Sequence, residues 1–168
     1  MPATPPPAIY CYSKTGHTRR AAKWLAQHSG AEFIPIEVDR YRMPLFWMVR
    51  AIWDVGRLHV PPLRTGNVVP VARPWIVVAG PVWADQPAPP LRSVLRALST
   101  SSSPIGLLTT CGRREESVKC VRSCEAELGR SFAARVNIQN AIEGTDEMDR
   151  LLLSFSNTMT TEAASGVA

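Results

Sequence analysis

The chain has 168 residues, 45% apolar and 20% charged, with a net charge of +5 at pH 7. That length suits one domain with a substantial core, and the longest apolar run, Trp75 to Val82, is far below the roughly 20 residues a membrane-spanning helix needs. The basic excess is moderate. It contains no basic run, helix-turn-helix, zinc-finger or aromatic–basic sheet pattern, so it points away from nucleic acid and towards small anionic partners.

In chain order, residues 1–7 read as an extended, proline-rich leader with neither the basic start nor the apolar centre of a signal peptide. With no export signal, the four cysteines predict reduced thiols and a cytoplasmic protein. A short strand, Ala8 to Tyr12, precedes a turn at Ser13 to Thr18 and a helix to about His28, whose inner stripe is Thr18, Ala21, Ala22 and Leu25. A second strand, Glu32 to Val38, alternates apolar and polar residues and contains Pro35. Residues 41–71 form a variable insert. Its Tyr41 to Leu63 portion interleaves Phe46, Trp47 and Trp53 with Arg42, Arg50 and Arg57, with a helical stripe at Leu45, Met48, Val49 and Ile52. Three readings fit that portion: a helix packed on the sheet, a dimer contact or lid, and a membrane-surface foot.

Strand three, Trp75 to Gly80, is solidly apolar and is followed by a proline-rich turn and a helix near Pro89 to Leu98. Strand four is Ile105 to Thr110. The next helix, from about Glu115 to Leu128, carries Val118, Val121 and Leu128. Cys120 and Cys124 share one of its faces, and with no partner pair at metal spacing they read as small buried apolar residues. Strand five, Phe132 to Ile138, alternates. A last helix runs from about Asp146 to Met159, and the tail at 160–168 is expected to fray. There is no internal repeat. Strands alternating with helices predict a single α/β domain, a parallel sheet between two helical layers. Apolar strands belong at its centre and alternating ones at its edges, and Pro35 places strand two at an edge.

The turn Ser13-Lys14-Thr15-Gly16-His17-Thr18 carries the chemistry. A strand, a hydroxyl-rich turn with one glycine, then a helix forms a phosphate site from helix N–H groups, the helix dipole and side-chain hydroxyls. A triphosphate loop needs G-x-x-x-x-G-K-S/T, and a dinucleotide loop needs G-x-G-x-x-G; neither is present. A thiol phosphatase loop needs an arginine six residues after its cysteine, where His17 follows Cys11. A monophosphate site made of hydroxyls and amides remains.

This turn resembles the S/T-x-T-G-x-T loop with which the flavodoxin-like superfamily grips the phosphate of FMN. The segment Gly80-Pro81-Val82-Trp83-Ala84-Asp85-Gln86-Pro87-Ala88-Pro89-Pro90 resembles the family's G-x-P-V-W-A-G-x-P-A-P-P, matching at Pro81 to Ala84 and at Pro87 to Pro90. It departs at Ala79 and Asp85, where glycines are usual. The resemblance implies a five-stranded sheet in the order 2-1-3-4-5 and an FMN site at its switch point. In that site Ser13, Lys14, Thr15, Gly16, His17 and Thr18 hold the phosphate. Backbone amides near Val82 to Ala84 meet the ring and ribityl chain, beside Pro81, and Trp83 packs on the ring. Thr110, Cys111 and Gly112 take the pyrimidine edge. The stacking tyrosine of true flavodoxins is absent, which leaves one ring face for solvent, another segment or a second subunit. Cys111 would lie near the flavin, as an inert contact or a redox partner.

The resemblance also bears on the reaction. Flavodoxins are acidic, whereas this chain is basic, and Arg113 and Arg114 fall beside the implied pyrimidine edge. Positive charge there favours the anionic reduced flavin and raises its potential. That suits an oxidoreductase passing electron pairs from NAD(P)H to a quinone or similar small acceptor. The alternatives are a one-electron carrier serving a redox protein, and a non-catalytic module retaining the fold. No residue presents itself as an acid, base or nucleophile; His17, His28 and His59 are isolated in the sequence.

Overall fold

A computed structural model of the chain describes residues 5–39, 47–64, 72–113 and 115–165. Its elements are β1 (Ala8–Cys11), α1 (His17–Ser29), β2 (Glu32–Pro35), α2 (Trp47–Gly56), β3 (Ile76–Trp83), β4 (Gln86–Pro87), α3 (Pro89–Leu98), β5 (Ile105–Cys111), α4 (Val118–Leu128), β6 (Ala134–Gln139) and α5 (Asp146–Ser165). Five strands run parallel in the order β2-β1-β3-β5-β6. This is the expected 2-1-3-4-5 arrangement, with the short β4 added antiparallel to the end of β3.

Side-chain alternation explains both the order and the layers. β1, the first part of β3 and most of β5 are buried on both faces, so their sequences read as unbroken apolar runs. Tyr10, Ile76, Val78 and Leu107 point towards α3 and α4, where Leu91, Leu95, Leu98 and Leu128 cover them. Ile9, Val77, Ala79 and Leu108 point the other way, towards Ala22 and Leu25 of α1 and Leu152 and Phe155 of α5. At the edges only one face is covered: in β6, Val136 and Ile138 are buried and Arg135 is exposed. Pro35 sits at the end of edge strand β2, where its missing N–H costs no ladder bond.

Three sequence expectations are corrected. Gly80 to Trp83 is strand rather than loop: β3 runs on and turns through a two-residue hairpin at Ala84 and Asp85, pairing Val82 with Pro87 and Trp83 with Gln86. Both turn residues have positive φ, 48° and 60°, as a type I′ hairpin requires. A two-residue return strand is too short to show a period. The helix expected from Glu115 begins instead at Val118, because Ser117 caps it by accepting the Cys120 N–H at 3.2 Å. Val118 is therefore exposed, and Cys120, Val121, Cys124 and Leu128 form the buried stripe. Finally, α5 continues to Ser165, through residues expected to fray.

In α2, Ala51, Asp54 and Val55 are buried while Trp53 is exposed, with the Arg57 guanidinium 4.1 Å from its ring centre. The helix lies against α3, and Ser93 Oγ donates to the carbonyl of Pro61 at 2.5 Å. The packed-helix reading of this segment accounts for those contacts. Leu45 and the side chains of the expected stripe at Met48, Val49 and Ile52 lie outside the described residues.

Candidate functional site

The carboxyl ends of β1, β3 and β5 converge at the place where the strand order reverses, which in open α/β sheets is where ligands bind. After β1 the chain turns through Gly16, at φ 99°, into α1. No side chain caps α1, and its first turn has no acidic residue. The leading N–H groups and the positive end of the helix dipole are therefore directed at the loop. Ser13 closes the turn: its Oγ accepts the Gly16 N–H at 3.1 Å, which leaves the hydroxyl hydrogen to donate towards a ligand. Thr18 is buried, with its hydroxyl 2.6 Å from that of buried Thr110. These two residues, both expected to touch a ligand, tie the first loop to the end of β5, and whichever hydroxyl accepts keeps its own hydrogen to donate. Thr15 is exposed and Lys14 half-buried in the same turn.

The hairpin after β3 forms the second wall. Trp83 is half-buried and meets Tyr12 edge-on, with ring centres 6.0 Å apart and planes at 78°. Burial pushes the Tyr12 phenol above its ordinary value. Asp85 stands where the motif has glycine. Its left-handed backbone is one that aspartate tolerates better than most residues, and its carboxylate accepts Arg113 Nη1 at 3.0 and 3.2 Å. Ser117 Oγ also donates to the Asp85 carbonyl at 3.3 Å. Thus the second and third loops are clasped together.

Between them lies a cavity of about 270 Å³, bounded by Val82, Ala84, Asp85, Cys111, Gly112 and Arg113, with Glu115 and Glu116 on the same wall. A second cavity of about 210 Å³ flanks the first loop, between Tyr12 to Lys14 and Ile36 to Asp39. In the first cavity the charge differs from the expectation. Arg113 is paired with Asp85, Arg114 lies outside the described residues, and three carboxylates share the wall. The expected positive edge is absent among the described residues.

Cys111 Sγ lies 3.0 Å from the Arg113 carbonyl and 3.4 Å from Asn137 Oδ1, which also accepts from Thr109 Oγ1 at 3.0 Å. Burial, only partly offset by Arg19, pushes the Cys11 thiol up to about 12, so it stays protonated at neutral pH. The Cys124 thiol is raised too, by a hydrogen bond between Cys124 and Cys120 and then by burial. Among the described residues, no group of three His, Cys, Asp or Glu could hold a metal, and no helix is long and apolar enough to cross a membrane.

His17 is not isolated. Its Nδ1 and the Nε of Arg20 both pair with the Glu143 carboxylate, from the loop after β6. Sequence reasoning missed Arg20 and Glu143, because a pair so far apart leaves no local pattern.

No protein-family model matches the chain, and no curated protein is similar to it in sequence. Solved structures do share its architecture. A flavoprotein from Lactobacillus acidophilus NCFM, determined in complex with FMN, matches with a TM-score of 0.67 over 89% of this chain and 99% of that one, at 17% identity. The two-electron-reduced flavodoxin of Megasphaera elsdenii matches at 0.54 over 92% and 98%, at 10% identity. Rubredoxin oxygen:oxidoreductase from Desulfovibrio gigas matches at 0.62, over 98% of this chain but 38% of that one, at 14% identity. At these identities the likeness is one of fold. This chain has the flavodoxin-like α/β fold, and its candidate site lies at that fold's switch point.

Proposed function

We propose that the chain binds FMN at this switch point and is an oxidoreductase that passes electrons from NAD(P)H to a quinone or similar small acceptor. The observation that carries the FMN reading is the uncapped start of α1 behind Gly16, at one end of a crevice walled by the β3 hairpin and the loop after β5. A phosphate monoester fits the first, because unpaired helix N–H groups and a positive dipole end need an anionic acceptor. Thr15 and the amides around Gly16 to Thr18 would hold that phosphate. Backbone groups of Val82 to Ala84 and the indole of Trp83 would meet the ring, with Cys111 and Gly112 at its far edge. When bound, FMN supplies the electron exchange; the chain's part is to position it and set its electrostatic surroundings. The four cysteines, all unpaired in the fold, suit a reducing compartment.

A second reading is favoured by the cavity wall. Asp85, Glu115 and Glu116 outnumber their partners, Arg113 on Asp85 and Arg135 3.7 Å from Glu116, and the negative charge left near the ring would disfavour an anionic reduced flavin and lower its potential. That surrounding suits one-electron transfer to a redox protein. Two measurements separate the readings. Titrating FMN into the purified chain should quench flavin fluorescence at one site per chain; unchanged fluorescence would sink both readings and leave a non-catalytic module. A reductive titration of the FMN-loaded protein should then show one two-electron wave, with NAD(P)H oxidised when a quinone is added. Two well-separated one-electron waves would instead establish the carrier.

A further inference from the structure

We propose that Arg20 is a phosphate-binding residue of this site, held in place by Glu143; the inference rests on the phosphate reading above. The sequence motif ends at Thr18 and relies mainly on amides and hydroxyls, with Lys14 as its one fixed charge. The structure adds another. Helical side chains lean towards the N-terminus, and that of Arg20 carries its guanidinium back over the loop: a Cβ built on Gly16 would lie 3.0 Å from Arg20 Nη1. The other side of the guanidinium is anchored. Its Nε pairs with Glu143 Oε1, and Glu143 Oε2 takes the His17 Nδ1, leaving Arg20 Nη2 3.2 Å from that nitrogen.

This arrangement differs from an ordinary surface ion pair, which mostly holds two mobile side chains in open solvent to little effect. The Glu143 side chain is only 17% exposed, and it meets two residues of the first turn of α1 beside the loop itself. A free arginine would lose considerable rotamer entropy on closing over a ligand. Here the carboxylate has already ordered it, while Nη1, which has no protein acceptor among the described residues, lies over Gly16. An arginine fork with one edge on a carboxylate still presents N–H donors to a phosphate dianion.

The test compares FMN with riboflavin, which has the same ring and ribityl chain but no phosphate. Arg20→Gln is expected to weaken FMN binding about tenfold or more and to leave riboflavin within about twofold, with the thermal melt of the unliganded chain little changed because the Arg20 side chain is 57% exposed. FMN affinity should fall less steeply with salt in the variant than in wild type. Arg20→Lys, which keeps the charge but loses the fork, should lie between the two, and so should Glu143→Gln, which keeps the guanidinium but removes its anchor. An Arg20→Gln chain with the wild-type ratio of FMN to riboflavin affinity overturns the proposal. Tighter FMN binding by Glu143→Gln would show that Glu143 opposes Arg20 rather than positions it, and overturns that part. A wild-type chain that binds both flavins equally would instead remove the phosphate site itself.

Discussion

Glu127→Ala is expected to destabilise the chain by about 3–5 kcal/mol, the cost of leaving a buried charge without its counter-ion. The charge is that of Arg92, which is 2% exposed. Its Nη1 donates to Glu127 Oε1 at 2.9 Å, and its Nη2 donates to Gln86 Oε1 at 2.8 Å and Ser123 Oγ at 2.7 Å. Glu127 also accepts Arg96 Nε at 2.5 Å. Without Glu127, the guanidinium remains buried among neutral partners that cannot balance it. Urea unfolding of the variant should show the loss as a lower midpoint, and Arg92→Met combined with Glu127→Met should recover much of it, since an apolar pair of similar volume needs no desolvated charge.

The same pair predicts a pH dependence. Burial alone would raise the Glu127 carboxyl, but hydrogen bonds from Arg96 and Arg92 outweigh it and hold the group below its ordinary 4.5. A carboxylate whose folded value lies below its unfolded one adds stability that is fully present above the unfolded value. That stability is lost as pH falls through the folded value. The wild-type urea midpoint should therefore decline below about pH 4.5, and Glu127→Gln should lack that part of the decline. The network also matters for the site: Gln86 belongs to β4, the return strand that holds Trp83 and Asp85 in place. Loosening Arg92 should loosen the wall around the candidate ligand as well.

Gly80→Ala is expected to cost about 3 kcal/mol, at the upper end of ordinary overpacking. A Cβ at this position would lie 2.0 Å from Leu91 Cδ1 and 2.7 Å from both Cγ and Cδ2. Leu91 is 1% exposed and enclosed by the β1–β3–β5 face and α4, so it has nowhere to move. α3 would have to retreat, drawing with it the Ala88 N–H that donates to the Pro81 carbonyl at 3.1 Å. Combining Gly80→Ala with Leu91→Ala should cost less than the sum of the single changes, and a double-mutant cycle reads that coupling directly. The close approach also explains why Gly80 follows Ala79 where the motif has its glycine one place earlier. Ala79 faces α1, where a methyl group fits; Gly80 faces α3, where none does.

Much of this protein was legible from the chain alone, for a local reason. Whether a strand is buried on one face or two is written in its own residues: Ile76 to Ala79 are apolar throughout, while β6 alternates. Strand order and the convergence of three strand ends followed from that pattern. The phosphate loop was legible because a strand, a glycine turn and a helix start are contiguous. The hairpin at Ala84 and Asp85 was not, because a two-residue β4 has no period and its turn lacks the Asn-Gly or Asp-Gly signal of a I′ hairpin.

The roles of individual site residues were decided by tertiary structure. Thr18 and Thr110 read as ligand hydroxyls by position, and folding adds a direct contact between them, hydroxyl to hydroxyl at 2.6 Å. Arg113 read as free positive charge until Asp85 was found opposite it. His17 read as isolated until Glu143 arrived from the far end of the chain. Composition and periodicity report how much surface a segment must bury, and so they determine the layers, the sheet order and the place of the loop. Partners brought together only by folding determine which charges are neutralised and which donors remain for a ligand, because electrostatic and hydrogen-bond energies depend on distance in space rather than on separation along the chain.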